Sequence, residues 1–280
     1  MQDIEQLLQE ALELGDQGSW AEMADVLARG LKESPNDPYL LCWLGVAQRE
    51  LGNDGVAYEY FRRCLAEEPS DPHILALAGS GLAALDDPEA ESVLRLAALS
   101  APDVPMARLQ YGAYLAREGL FEEAMIHLRA AVDLAPDDPA MHSELGTALA
   151  LQGDAQGAIT ELETTLELAP DDSWSRLLLG LLYAEQGRLE EAAEELVRAA
   201  EERQDDAEAH VLAALASAAV GWEEAAQTAL VRAGYVAQRA DAQLLEEAEE
   251  RVAEGPESAR GMLLETVGPS VLRERLSQPL

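Results

Sequence analysis

Residues 139–172 read PAMHSELGTALALQGDAQGAITELETTLELAPDD, and residues 173–206 follow in the same register as SWSRLLLGLLYAEQGRLEEAAEELVRAAEERQDD. Each stretch carries a Leu-Gly pair (Leu145-Gly146, Leu179-Gly180), then a turn glycine (Gly153, Gly187), a small residue (Ala158, Ala192) and a leucine (Leu162, Leu196). Self-similarity at one fixed spacing decides the architecture before any single element is assigned.

The spacing extends outward in both directions. Gly18, Gly52, Gly119, Gly153, Gly187, Gly221 and Gly255 stand 34 residues apart, with one gap of 67. Ala11, Gly45, Gly79, Gly112, Gly146, Gly180, Ala214 and Ala248 keep the same step, except for 33 between Gly79 and Gly112. Pro35, Pro69, Pro102, Pro136 and Pro170 lose one residue in the same place. A single deletion near Asp86-Asp87-Pro88 accounts for every irregularity.

Each series has a physical reading. The first glycine sits inside a helix, where it costs about 1 kcal/mol against Ala and is tolerated when two helices must approach closely. The second follows one apolar-periodic run and precedes another, as a helix C-cap and turn does. Acids after it, such as Glu122-Glu123, suit the first turn of the next helix. The proline ends that second helix, and the Asp residues behind it (Asp137 and Asp138; Asp171 and Asp172) can cap the following one. Every unit is therefore helix, turn, antiparallel helix.

On these residues the chain resembles the tetratricopeptide repeat family. Tyr111-Gly112, Leu115, Gly119, Phe121, Ala124, Leu128, Ala131 and Pro136 occupy the family's signature positions in one unit, and Leu179-Gly180, Tyr183, Gly187, Ala192, Leu196 and Ala199 in another. Seven units are expected over residues 1–240, starting near Ile4, Pro38, Pro72, Pro105, Pro139, Ser173 and Ala207. Residues 241–280 read as a degenerate eighth unit and C-terminal capping helices, the last beginning at Pro269. The resemblance implies an all-α fold, a right-handed α-solenoid (superhelix), with first helices on the concave face.

Composition agrees and narrows the function. Hydrophobic residues make up 48% and aromatics only 5%, a mixture that favours closely packed helices over sheets. The formal net charge of -35 disfavours nucleic acid and anionic membrane surfaces and favours basic protein segments. The acidity serves such a partner, only the solubility of an Ala- and Leu-rich surface, or a salt-rich cytoplasm. No apolar run is long enough to span a bilayer, no secretory signal is visible at the start, and Cys42 and Cys64 form no metal or redox motif. A reducing, bacterial-type cytoplasm is expected, the bacterial part resting on Lys32 as the single lysine.

Nothing points to catalysis. His73, His127, His142 and His210 have no ligand spacing, and the Glu-Glu pairs recur as helix starts rather than as acid–base groups. No phosphate loop or nucleophile motif is present. Neither a cofactor nor a metal is expected.

The family's usual peptide site lies on one face of the first helices. Here that face offers Tyr39, Trp43, Val46, Met106 and Leu109, then an apolar strip of Trp174, Leu177, Leu178, Leu181, Val211, Leu212 and Leu215. Family members that hold a C-terminal carboxylate use Lys, Asn and Arg there; only Arg49 stands on this face, so carboxylate recognition is not expected. The strip suits an amphipathic helix or apolar segment with basic flanks. The alternative is that neighbouring helices or the chain's own C-terminal segment (Met262, Leu263, Leu264) fill it. Trp20 and Trp222 are expected to pack inside their own units. The expected function is a protein-binding adaptor; the alternatives are a chaperone for a secreted or assembly-prone client, a regulatory subunit, or a homo-oligomeric scaffold.

Overall fold

The computed structural model describes residues 4–277, and all regular structure among them is helical. The chain divides into two compact parts between Ala135 and Pro136.

The first part holds four helix pairs: α1 (Ile4–Asp16) with α2 (Trp20–Glu33), α3 (Pro38–Glu50) with α4 (Asp54–Ala66), α5 (Pro72–Ala83) with α6 (Ala90–Ser100), and α7 (Pro105–Arg117) with α8 (Phe121–Leu134). α2, α4 and α6 each also pack on the first helix that follows, so the part is an α-solenoid of stacked hairpins. The second part repeats the scheme with α9 (Pro139–Gln152) and α10 (Ala155–Leu168), α11 (Ser173–Glu185) and α12 (Leu189–Glu202), and α13 (Ala207–Ala219) and α14 (Glu223–Val236). It continues with α15 (Ala242–Glu254), α16 (Pro256–Met262), one π-helical turn (Leu263–Val267) and α17 (Gly268–Ser277).

The seven unit starts read from the spacing are the first residues of α1, α3, α5, α7, α9, α11 and α13. The local reasons hold as well. Asp37, Asp71, Asp138, Asp172 and Asp206 each accept backbone N–H groups as N-caps of the next helix, mostly ahead of a proline at its first position. α7 is the exception, with Val104 at the cap and no side-chain acceptor.

The turn glycines inside the hairpins take left-handed φ, from +70° at Gly18 to +90° at Gly153. In the shortened third unit Asp86 takes that role at φ +55°, at the site of the inferred deletion. The in-helix glycines allow close crossing: a Cβ on Gly180 would lie 2.7 Å from Leu196 Cγ, and one on Gly112 would lie 2.7 Å from Leu128 Cγ. A residue other than glycine there would push the paired helices apart.

Candidate interaction surface

The first-helix face differs between the two parts. In the first, α3 presents Tyr39, which is 39% exposed, and its hydroxyl donates to Asp71 Oδ2 at 2.6 Å. That hydrogen bond and burial push the phenol pKa up, and it ties the start of α3 to the cap of α5. Trp43 is half-buried and packs on the cores to either side of it, while Val46 is buried in one of them. Met106 is half-buried, its sulfur 3.7 Å from Gln110 Nε2, and Leu109 is buried. This face therefore offers isolated apolar edges rather than a continuous strip.

The second part brings the expected strip together and covers it. Leu177, Leu178, Leu181, Val211, Leu212 and Leu215 are each no more than 2% exposed, and Trp174 is half-buried. α16 and the π turn pack on α13, and the π turn and α17 pack on α11. The covering residues are themselves apolar and buried: Met262, Leu263, Val267, Val271, Leu272 and Leu276. The C-terminal helices thus pack on α11 and α13, the two helices that carry the strip, and α12 packs on both as well. The reason is the hydrophobic effect: at about 25 cal/mol per Å² an exposed leucine strip attracts the nearest apolar segment, and a tethered one has a large effective concentration. Leu264, expected in that contact, is only half-buried.

A second set of polar residues lies between helices. Arg108, His142, Arg176 and His210 hold equivalent positions in successive first helices. Each reaches the main-chain carbonyl six residues earlier: Pro102 (2.5 Å), Pro136 (2.9 Å), Pro170 and Gln204 (3.1 Å). His142 Nδ1 also meets Glu161 Oε2 at 2.7 Å, and Arg176 meets Glu195 at 2.8 Å and Glu202 at 3.1 Å.

Burial lowers the His142 pKa, but the Glu161 hydrogen bond and the Pro136 carbonyl raise it more, so the net shift is upward. His127 goes the other way: burial, then Arg108, lowers its pKa, and its Nδ1 is buried without a partner. Its ring stacks edge-on with Tyr111 at 4.8 Å. Among the described residues no group of three or more His, Cys, Asp or Glu side chains is placed to hold a metal ion. No helix of the described residues is long and apolar enough to cross a membrane.

Trp20 packs in its own unit against α1, as expected. Trp222 is 38% exposed and, with His210 and Ala213 of its own unit, lines a cavity between α12, α13 and α14. Sequence reading missed that cavity because its origin is a side chain that is not there.

Two family models, both described as tetratricopeptide repeat, match residues 8–72 and 79–139 and residues 115–173 and 149–218. The chain belongs to the tetratricopeptide repeat family. No curated protein matches the sequence. Among solved structures, a thermophilic TPR protein of Thermus thermophilus is similar at 28% identity and a TM-score of 0.52, over 60% of this chain and 92% of that one. The Cut9–Hcn1 hetero-tetramer of APC/C aligns at 18% identity and a TM-score of 0.69 over 85% of this chain, which spans 48% of its own. PilW, a type IV pilus biogenesis factor, aligns at 22% identity and 0.59 over 72% of this chain and 94% of that one. The last two likenesses are likenesses of fold.

Proposed function

We propose that the protein is a non-catalytic adaptor that takes an apolar helical segment of a partner protein on the face of α11 and α13. The observation that carries this reading is the segment already there: helices that pack on α11 and α13 and bury Met262, Leu263, Val267, Val271 and Leu272. A surface that buries such a segment in cis has the chemistry to bury one in trans. The partner displaces residues 256–277, and its basic flanks meet the acidic surface of the chain. The cytoplasm is the proposed site of action, supported by two buried cysteines, Cys42 and Cys64, that remain unpaired thiols.

The test uses the full chain and a labelled synthetic peptide of residues 256–277 as the probe. Val267→Asp with Leu272→Asp weakens the tethered copy, so the variant should bind the free peptide at least about tenfold more tightly than the parent in fluorescence anisotropy. If neither protein binds the peptide, the face does not accept helices and the reading fails.

A further inference from the structure

Unit seven breaks a pattern that units five and six keep. In those units the buried cationic or imidazole side chain of the first helix is met by a carboxylate of the second: His142 by Glu161 at 2.7 Å, Arg176 by Glu195 at 2.8 Å. Thirty-four residues after Glu195 stands Ala229, and thirty-four after Glu202 stands Val236. His210 is 2% exposed and keeps the carbonyl contact, Nε2 donating to Gln204 O at 3.1 Å. His142 uses the same nitrogen for Pro136 and turns Nδ1 to its glutamate. His210 and Ala229 both line the space that the missing carboxylate would fill.

That space is a cavity of about 500 Å³, within the range of small-ligand sites. Its walls are apolar, from Val197, Ala200, Ala213 and Ala229, with the Trp222 indole on one side. Glu201, Glu223 and Glu224 stand at it against Arg232 alone. None of these residues belongs to the α11–α13 strip.

We propose that this cavity is a second binding site, taking an aromatic side chain with a hydrogen-bond donor, Tyr or Trp, on a basic peptide segment. The aromatic ring fills the apolar volume and packs on Trp222. With Nε2 donating to Gln204, the His210 ring has Nδ1 left for a partner, and a phenol O–H or indole N–H satisfies it. Acidic groups at the cavity, on a chain of net charge -35, draw Arg or Lys beside the aromatic residue and repel an acidic peptide.

The probes are acetyl-Arg-Tyr-Arg-amide, its Phe counterpart, acetyl-Glu-Tyr-Glu-amide and tyrosinamide. They are titrated into the full ¹⁵N-labelled chain while the Trp222 indole N–H signal is followed, assigned through Trp222→Phe. The basic Tyr peptide should shift that signal saturably, and the Phe peptide should bind about tenfold more weakly for want of the donor. The acidic peptide should not bind.

Ala229→Glu rebuilds the His142–Glu161 arrangement inside the cavity and should abolish the shift without lowering the melting temperature. If that variant fails to fold, Ala225→Leu, which fills the cavity from its edge, should block binding instead. No saturable shift at millimolar peptide, or undiminished binding by the folded filling variant, overturns the proposal. Tyrosinamide binding as tightly as the tripeptide overturns it too, because the site then takes a small molecule rather than a segment.

Discussion

In unit six the contact between α11 and α12 is sealed by Arg176, whose guanidinium reaches Glu195, Glu202 and the Pro170 carbonyl. In unit seven the same register holds His210, Ala229 and Val236, and a cavity stands beside Ala229, where the counterpart of Glu195 would be. What unit seven lacks there it makes up elsewhere, since α13 is packed by α15, α16 and the π turn, whereas α9 is packed by α17. The repeat is a frame whose spacing is maintained while the forces inside it are exchanged, an ion pair in one unit and extra apolar burial in the next. Nearest-neighbour stacking permits this, because each unit needs only enough stabilisation from itself and its neighbours.

The largest expected effect tests the apolar half of that comparison. Leu263→Ala removes a fully buried side chain from the π turn and should cost about 3 kcal/mol. Amide hydrogen exchange should then accelerate across α13 and α16 while α10 keeps its protection; equal loss in α10 would mean that the segment stabilises the whole second part.

The ionic half is next. Glu195→Ala leaves Arg176 with Glu202 and a carbonyl, and should cost roughly 2 kcal/mol, less than orphaning a buried charge outright. The measurement is exchange in α11 and α12, and an effect near zero would rank the pair with surface salt bridges.

A pH series sharpens the comparison between units four and five. His142 has a pKa raised above 6.5, so its contribution is complete below 6.5 and is lost as pH rises through the folded value. His127 has a pKa lowered below 6.5, so its contribution is complete above 6.5 and is lost as pH falls through the folded value. Exchange protection in α9–α10 and in α7–α8 should therefore change with opposite sign, and Glu161→Gln should flatten the first slope alone.

The smallest effect concerns the missing cap. Val104 has extended backbone at the N-cap of α7, as Asp37 has at α3, so Val104→Asp should gain about 0.5–1 kcal/mol. A calorimetric melting temperature that does not rise would show that the α7 start is already satisfied.

Much of this was legible in the chain. The glycine and proline series placed the seven hairpins, because a left-handed turn and a close helix crossing each demand glycine whatever surrounds them. The aspartates after the prolines named the caps for the same local reason. The apolar strip of Leu177, Leu178, Leu181, Val211, Leu212 and Leu215 was legible as a face, because helical spacing alone puts those residues side by side. Its cover was one of two readings, because residues 256–277 carry no repeat register that would say where they dock. The cavity around His210 was not legible at all. Alanine at 229 is an ordinary helix residue, and only the positions of α12 and Trp222 show that nothing else fills the gap.

The sequence by itself determined the period, the hairpins, the caps and the acidic surface, since each follows from interactions between residues near one another in the chain. The tertiary structure alone decided that the strip is covered and that a buried histidine faces an empty carboxylate position. Both depend on which distant side chains arrive at a surface and which do not, and volume left unfilled leaves no mark on local spacing.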